Sequence, residues 1–274
     1  MFTKEQIYEQ LKQLGAPKNS VVTVHTSLKA VGEVEGRGEG LLDVFIRYFT
    51  EDGGLLCIPT HTWDNVKVKI TKEELIEKPT LDMNSSWTCI GTFPSIAAAH
   101  PEAHRSEHPT HSMAVFGDAE CAENFIKDDA FAVSSADPKG CYGKIYENGG
   151  YILLLGVGHN KDTYIHFVED LLGIENRLSS EPRDNSVKRK SGEIVFRKVR
   201  ITHAEGIGDV SQYYGKFEPA FRYHGAIKDG IIGNAPVQLC DARKIKEVVE
   251  LVYKRANGLE ILADNAPLDE KLYK

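Results

Sequence analysis

Four of the chain's ten histidines fall in one stretch, HPEAHRSEHPTH at 100–111: His100, His104, His108 and His111. Histidines this dense raise the question of a metal site. A helical ligand pair needs its two side chains one turn apart on one face, and Pro101 and Pro109 interrupt any helix here. Neither HExxH nor a paired CxxC occurs in the sequence, so the segment is read as metal-free. Its other chemistry is anion binding. Arg105 beside Ser106, with His108 and Ser112 near in sequence, can offer charge-assisted donors to phosphate oxygens. Taken alone, the segment also fits a solvated, histidine-rich turn.

The second cluster is GVGHNKDTYIHFVED at 156–170. Gly156 and Gly158 end an apolar run and a helix pattern follows, the arrangement of a site at a strand's carboxyl end. The dinucleotide fingerprint GxGxxG fails because residue 161 is Lys161. On the helix, His166 and Glu169 are three apart and share a face. A carboxylate beside an imidazole can fix its tautomer and raise its basicity, the composition of a general-base dyad. Spacing alone favours a solvated surface pair. Other nucleophile schemes lack their signatures: there is no GxSxG elbow and no GxxxxGK[ST] loop. The five cysteines, Cys57, Cys89, Cys121, Cys141 and Cys240, are odd in number with no CxxC pair, which argues against a disulfide framework and a zinc ribbon. Cys57 lies in an apolar strand pattern and reads as a buried, inert thiol; Cys141 has no recognisable nucleophile signature.

The elements that must position these groups alternate. Residues 20–26 (SVVTVHT) read as a strand, and 38–50 as an amphipathic helix with Leu41, Leu42, Phe45, Ile46 and Phe49 on one face. Residues 54–58 form a buried strand stopped by Pro59. A long polar insertion, 64–90, follows, with a helix turn near Lys72–Glu77; so long an insertion points to a functional loop. Further on come a helix at 93–99, a strand at 112–117, a helix at 118–127 opened by Asp118, and an apolar strand at 151–158. A helix at 163–172 opened by Thr163 and closed by Gly173, a half-buried strand at 193–202, and a last helix from Asp241 to about Ala256 complete the pattern. Thr3 and Gln6 form a capping box, with Gly15 as the stop.

The chain has 274 residues, with 33 Lys+Arg against 40 Asp+Glu and a net charge of −7. Hydrophobic residues at 41% and charged ones at 27% exclude a mostly disordered chain. The acidity argues against nucleic-acid or anionic-membrane binding and is compatible with a cationic partner. The first fifteen residues lack the apolar region of a signal peptide, and no apolar run reaches the roughly 18–20 residues of a membrane span. The expectation is one cytoplasmic α/β domain, a mixed β-sheet flanked by helices with an insertion after an early strand, acting as monomer or homodimer.

Together, VHTSLKAVG (24–32), LLCIPTHTW (55–63), GTFPSIAAAHPEAHRSEHPTHSMAVFG (91–117) and GGYILLLGVGHNKDTYIHFVED (149–170), with the weaker EGIGD (205–209), resemble the aminoglycoside 3-N-acetyltransferase family, also called the antibiotic N-acetyltransferases. The resemblance implies a mixed α/β fold distinct from the GNAT acetyltransferases, acetyl-CoA as donor, and an amine as acceptor, the 3-amino group of a 2-deoxystreptamine ring in an aminoglycoside-like compound. It implies that His25, Thr26, Ser27, Leu28, Lys29, Ala30 and Val31 line the pantetheine arm of CoA. It also implies that Arg105, Ser106, His108, His111 and Ser112 meet the CoA phosphates. His166 and Glu169 match the family's catalytic helix, and His61 lies in its PTHT motif. The chain departs from the resistance enzymes mainly at 64–90 and beyond 175, where acceptor contacts would lie. A sugar amine must lose a proton to attack a thioester, which suits His166 oriented by Glu169. Backbone N–H groups of 28–31 or 156–158 would steady the oxyanion, and transfer would be direct, without an acyl-enzyme. Lys29 and Arg105 would hold the anionic donor, while Asp64, Glu205 and Asp209 would face a cationic acceptor.

Overall fold

The computed structural model of the protein describes residues 1–67 and 69–274. In chain order the main helices are α1 (Lys4–Leu14), α2 (Leu28–Val31), α3 (Arg37–Thr50), α4 (Lys72–Glu77), α5 (Thr92–Ala99), α6 (Ala119–Ile126), α7 (Cys141–Glu147), α8 (Thr163–Leu171), α9 (Glu218–Tyr223) and α10 (Ala242–Ala256). The strands are β1 (Val21–Thr26), β2 (Leu55–Pro59), β3 (Leu81–Asp82), β4 (His104–Arg105), β5 (Met113–Phe116), β6 (Tyr151–Leu155), β7 (Arg183–Lys188), β8 (Ile194–Val199), β9 (Ile227–Ile232) and β10 (Ala235–Asp241). Seven of them form a mixed sheet in the order β4-β5-β2-β1-β6-β10-β9. Only β2, β1 and β6 run parallel, at its centre.

The central strands are apolar on both faces because helices cover both. Val22, Val24, Leu56 and Leu153 face α1, α3 and α5, packing on Ile7, Leu11, Phe45, Phe49 and Phe93. Val21, Cys57, Ile152 and Leu154 face the other way, toward Phe125, Ile145, Phe167, Phe221 and Val249. Alternation in β1 therefore turns Thr23 and His25 toward the second layer of helices. Caps fix where the helices begin. Thr3 and Gln6 form the expected capping box, with Gly15 left-handed at φ 67° behind α1. Asp241 accepts from the N–H groups of Arg243 and Lys244 to start α10.

Three sequence expectations need correction. Asp162, not Thr163, caps α8, accepting from the N–H of Tyr164. The sixth strand ends at Leu155, because Gly156 turns the chain at φ 66°. A Cβ at Gly156 would lie 2.4 Å from Cβ of Ala30, so glycine is needed for this loop to lie against α2. The third correction is the 64–90 insertion, which is more than a loop: Leu81 and Asp82 pair in parallel with Val187 and Lys188. They complete a separate three-stranded sheet, β3-β7-β8. The hairpin β9–β10 escaped the sequence reading. Its two-residue turn, Gly233-Asn234, has Gly233 at φ 61° in the first central position.

Candidate active site

A cavity of about 440 Å³ opens at the carboxyl ends of the three parallel strands. His25 and Thr26 reach it from β1, Pro59 and His61 from β2, and Val157 from the turn after β6. The small sheet and the segments beside it supply another wall through Arg183, Ile201 and Thr202. The loops that leave all three parallel strands meet at this edge of the sheet.

His166 lines this cavity from α8. Its Nδ1 lies 3.9 Å from Glu169 Oε2, too far for a hydrogen bond. The two are joined by Tyr214, from a 3-10 turn at Val210–Phe217. The Tyr214 hydroxyl donates to Glu169 Oε2, and its oxygen lies 2.6 Å from His166 Nδ1. With the phenol proton committed to the carboxylate, the oxygen accepts Nδ1–H, which leaves Nε2 with a lone pair. Burial and the neighbouring carboxylate hold the Tyr214 phenol well above its usual pKa, so the proton stays on it. Glu169 also accepts from the Tyr253 hydroxyl and from Arg177 Nε at 2.8 Å. The Arg177 fork then grips both oxygens of Glu260 at 2.9 Å. The sequence reading missed Tyr214, Arg177, Tyr253 and Glu260. Their only signal there was a pair of tyrosines, Tyr213 and Tyr214, in a stretch without clear periodicity.

Other histidines share this pocket in neutral form. His61 and His111 have ring centroids 4.4 Å apart, and burial together with neighbouring histidines drives both pKa values well below the usual 6.5. Burial also lowers His25, against the pull of Asp162. For His166, burial lowers the pKa and outweighs Glu169, Asp209 and Asp162. A neutral imidazole is the form a base needs.

The expected site residues separate into those that line the cavity and those that build it. His25, Thr26, His61, His111, His166 and Asp209 line it. Ser27 caps α2, Val31 is core, and Ala30 packs against Gly156. Leu28 is half-buried against the core and Lys29 is exposed, both outside the lining. Arg105 is 7% exposed, and its guanidinium holds Thr60, Ser112 and the carbonyl of Ser85, the last at 2.6 Å. Burial lowers its pKa to about 10. It braces the end of β2 against the start of β5 and does not line this cavity. Ser106 and Ser112 bond within the same corner. His108 accepts at Nδ1 from the N–H groups of Thr110 and His111, so its Nε2 donates to the carbonyl of Ser134 at 2.9 Å. The HPEAHRSEHPTH segment is thus largely interior scaffold rather than a solvated turn. Asp64 and Glu205 are exposed and lie outside the lining, and Glu169 is buried behind Tyr214. Of the expected oxyanion donors, the N–H groups of Ala30, Val31 and Gly156 are bonded to carbonyls of the chain, leaving those of Leu28, Lys29, Val157 and Gly158 without an acceptor among the described residues.

The family model described as aminoglycoside 3-N-acetyltransferase matches residues 23–254, and the chain belongs to that family of acyltransferases. Among curated relatives, the SPbeta prophage-derived aminoglycoside N(3')-acetyltransferase-like protein YokD of Bacillus subtilis is 29% identical over 61% of this chain and 64% of its own length. The chain thus spans just under two thirds of that relative in this match. Aminoglycoside N(3)-acetyltransferase III of Salmonella is 25% identical over 89% of both chains. The fold is that of AAC-IIIb, solved as a binary complex with CoASH, at a TM-score of 0.77 and 21% identity, covering 92% of this chain and 97% of that one. Among the described residues, no helix is long and apolar enough to cross a membrane.

Two outcomes are expected. Replacing Tyr214 by Phe removes the link between His166 and Glu169. It should lower kcat roughly 10- to 100-fold while the KM for acetyl-CoA moves little; an unchanged kcat would break the relay. The second concerns acid. His25, His61, His111 and His166 have pKa values below 6.5 in the folded chain and near it when unfolded. The unfolded chain therefore binds protons first as pH drops, and stability is intact above 6.5 and lost below it. Each such histidine steepens the loss by at most about 1.4 kcal/mol per pH unit. Urea midpoints should hold from pH 8 to 7 and fall from 6.5 to 5; a flat profile across that lower range contradicts neutral burial.

Proposed function

We propose that this chain transfers an acetyl group from acetyl-CoA directly to an amine, with His166 Nε2 as general base. The observation that carries this is the Tyr214 bridge, which commits His166 Nδ1 to donating and leaves the cavity-lining ring a basic nitrogen. Acetyl-CoA supplies an activated thioester. The amine nitrogen bonds to the carbonyl carbon, the C–S bond breaks, the amine proton passes to His166, and CoA departs as the thiol once it takes a proton. Two buried polar atoms of lining residues, His25 Nε2 and Thr26 Oγ1, have no partner among the described residues. They suit the amides of a pantetheine arm lying against α2 and Gly156. Direct transfer is supported by the thiols: no cysteine is among the described residues lining the cavity. Burial pushes Cys57, Cys141 and Cys240 up, away from thiolate.

The acceptor expected from the family is the 3-amino group of an aminoglycoside-like compound. A second reading, another aminated metabolite, is favoured by one observation: of Asp64, Glu205 and Asp209, only Asp209 lines the cavity. The test is CoA release from acetyl-CoA across a panel of amines. His166→Ala should cut kcat about 10²–10⁴-fold with little change in acetyl-CoA affinity, and unchanged turnover removes it from the mechanism. For wild type, kcat/KM should fall toward acid with a midpoint below 6.5, since the base works only when neutral. Replacing each cysteine singly by Ala should preserve turnover; abolition in one well-folded variant would restore an acyl-enzyme.

A further inference from the structure

The charge around the cavity conflicts with a polycationic acceptor. Two carboxylates line it, Asp162 and Asp209, and both already serve the chain. Asp162 is fully buried, 3.0 Å from His159 Nδ1, and caps α8. Asp209 caps the 3-10 turn that carries Tyr214, accepting from the N–H of Ser211 at 2.9 Å. Two cations also line it, Lys161 and Arg183. Neither forms an ion pair among the described residues, whereas Arg105, Arg177 and Arg189 are all engaged by the fold. Arg183 is half-buried at the start of β7, in the wall that also holds Ile201 and Thr202. One stretch of the wall is apolar, Trp63, Val66, Ile90, Phe93 and Pro94, while neutral polar groups such as His25, His61 and His111 line the part nearer His166. The two carboxylates at most balance these two cations, so a sugar carrying several ammonium groups would meet no net negative charge here, only a hydrophobic stretch of wall.

We propose that the acceptor is a compact primary amine with an apolar or aromatic body and an anionic oxyacid group, and that Arg183 holds that group. This rests on the acetyl-transfer reading above. The guanidinium fork matches a carboxylate or phosphate edge in two parallel hydrogen bonds. The apolar wall takes the body of the molecule, with the half-exposed Trp63 offering a flat face. The amine is then directed to His166, whose proton-accepting nitrogen is not already occupied. Lys161 adds positive potential beside His166's own loop. The net acidity of the whole chain does not oppose this, because screening leaves the local pair dominant over distant surface carboxylates.

The experiment compares 4-(2-aminoethyl)benzoate with phenethylamine, its matched amine without the carboxylate, and with gentamicin, all with acetyl-CoA. An amine bearing a phosphonate in place of the carboxylate distinguishes the two oxyacids. The anionic amines should exceed phenethylamine in kcat/KM by roughly 10- to 100-fold, the effect of a charge-assisted pair. Arg183→Gln should collapse that ratio toward one, and Arg183→Lys should restore part of it. Gentamicin turning over faster than the anionic amines would overturn the acceptor class and leave acetyl transfer standing. A rise in the KM for acetyl-CoA in Arg183→Gln, with the acceptor ratio intact, would put Arg183 on the donor's phosphates and equally overturn it. Calorimetry on the CoA-loaded protein separates the two readings. Arg183-dependent binding of the anionic amine without any turnover supports the acceptor class while acetyl transfer fails. Absence of that binding overturns the acceptor class.

Discussion

The site depends on one buried carboxylate. Glu169 has no solvent exposure, and an uncompensated carboxylate there would not be tolerated. The fold answers with a guanidinium and two phenols drawn from distant parts of the chain: Arg177, Tyr214 and Tyr253. Arg177 is itself nearly buried and must be satisfied in turn, which Glu260 and the carbonyls of Glu175 and Asn176 achieve. Five segments, α8, the chain after it that carries Arg177, the 3-10 turn at 210–217, α10 and the tail at 260, are thereby tied to one charge. Removing one partner of such a group costs about 3–5 kcal/mol because the remaining charge stays buried. His166 inherits this rigidity through a single phenol.

That indirect link changes what the carboxylate does. In direct contact, Glu169 would stabilise the charged imidazolium and raise its pKa. With Tyr214 between them, the carboxylate sets the tautomer while burial keeps the ring neutral, since desolvation is the larger effect on His166. The surrounding histidines reinforce this: His61 and His111 are neutral for the same reason and add no fixed charge to the pocket. His166 is thus neutral at neutral pH, and the penalty appears only in acid.

Much of this was legible in the sequence where local rules decide. Asp241, Asp118 and Thr3 mark helix starts, and the β-branched run at 20–26 and the apolar run at 54–58 are central strands. His166 and Glu169 are brought to one helix face, as their spacing implies. What escaped depends on distance. Tyr214 lies 48 residues from His166, and nothing local marks a tyrosine that will bridge two groups on another helix. The setting of Arg105 was hidden for the same reason. Nothing local shows that an arginine among serines and histidines will also hold Thr60 and the carbonyl of Ser85. The hairpin β9–β10 was hidden by Gly230 and Pro236, which weaken a strand pattern, although its Gly-Asn turn carried the signal.

The two sheets divide the work. Strand ends of the seven-stranded sheet, covered on both faces by helices, carry His25, Thr26 and His61 on rigid backbone. The small sheet joins the 64–90 insertion to β7 through Leu81 and Val187, and carries Arg183 at its edge. Thr80 Oγ1 reinforces that seam by accepting from the N–H of Ser186, and Ser186 donates its hydroxyl to the carbonyl of Leu75. The insertion is therefore structural on one side and lines the pocket on the other, through Trp63, Val66 and Ile90 near its ends. Because Glu169 and Tyr214 are held by α10 and the tail rather than by this sheet, the wall that carries Arg183 can vary in charge and shape without disturbing the hydrogen bond to His166. The tautomer of His166 and the charge of the facing wall are consequently separate properties of the fold.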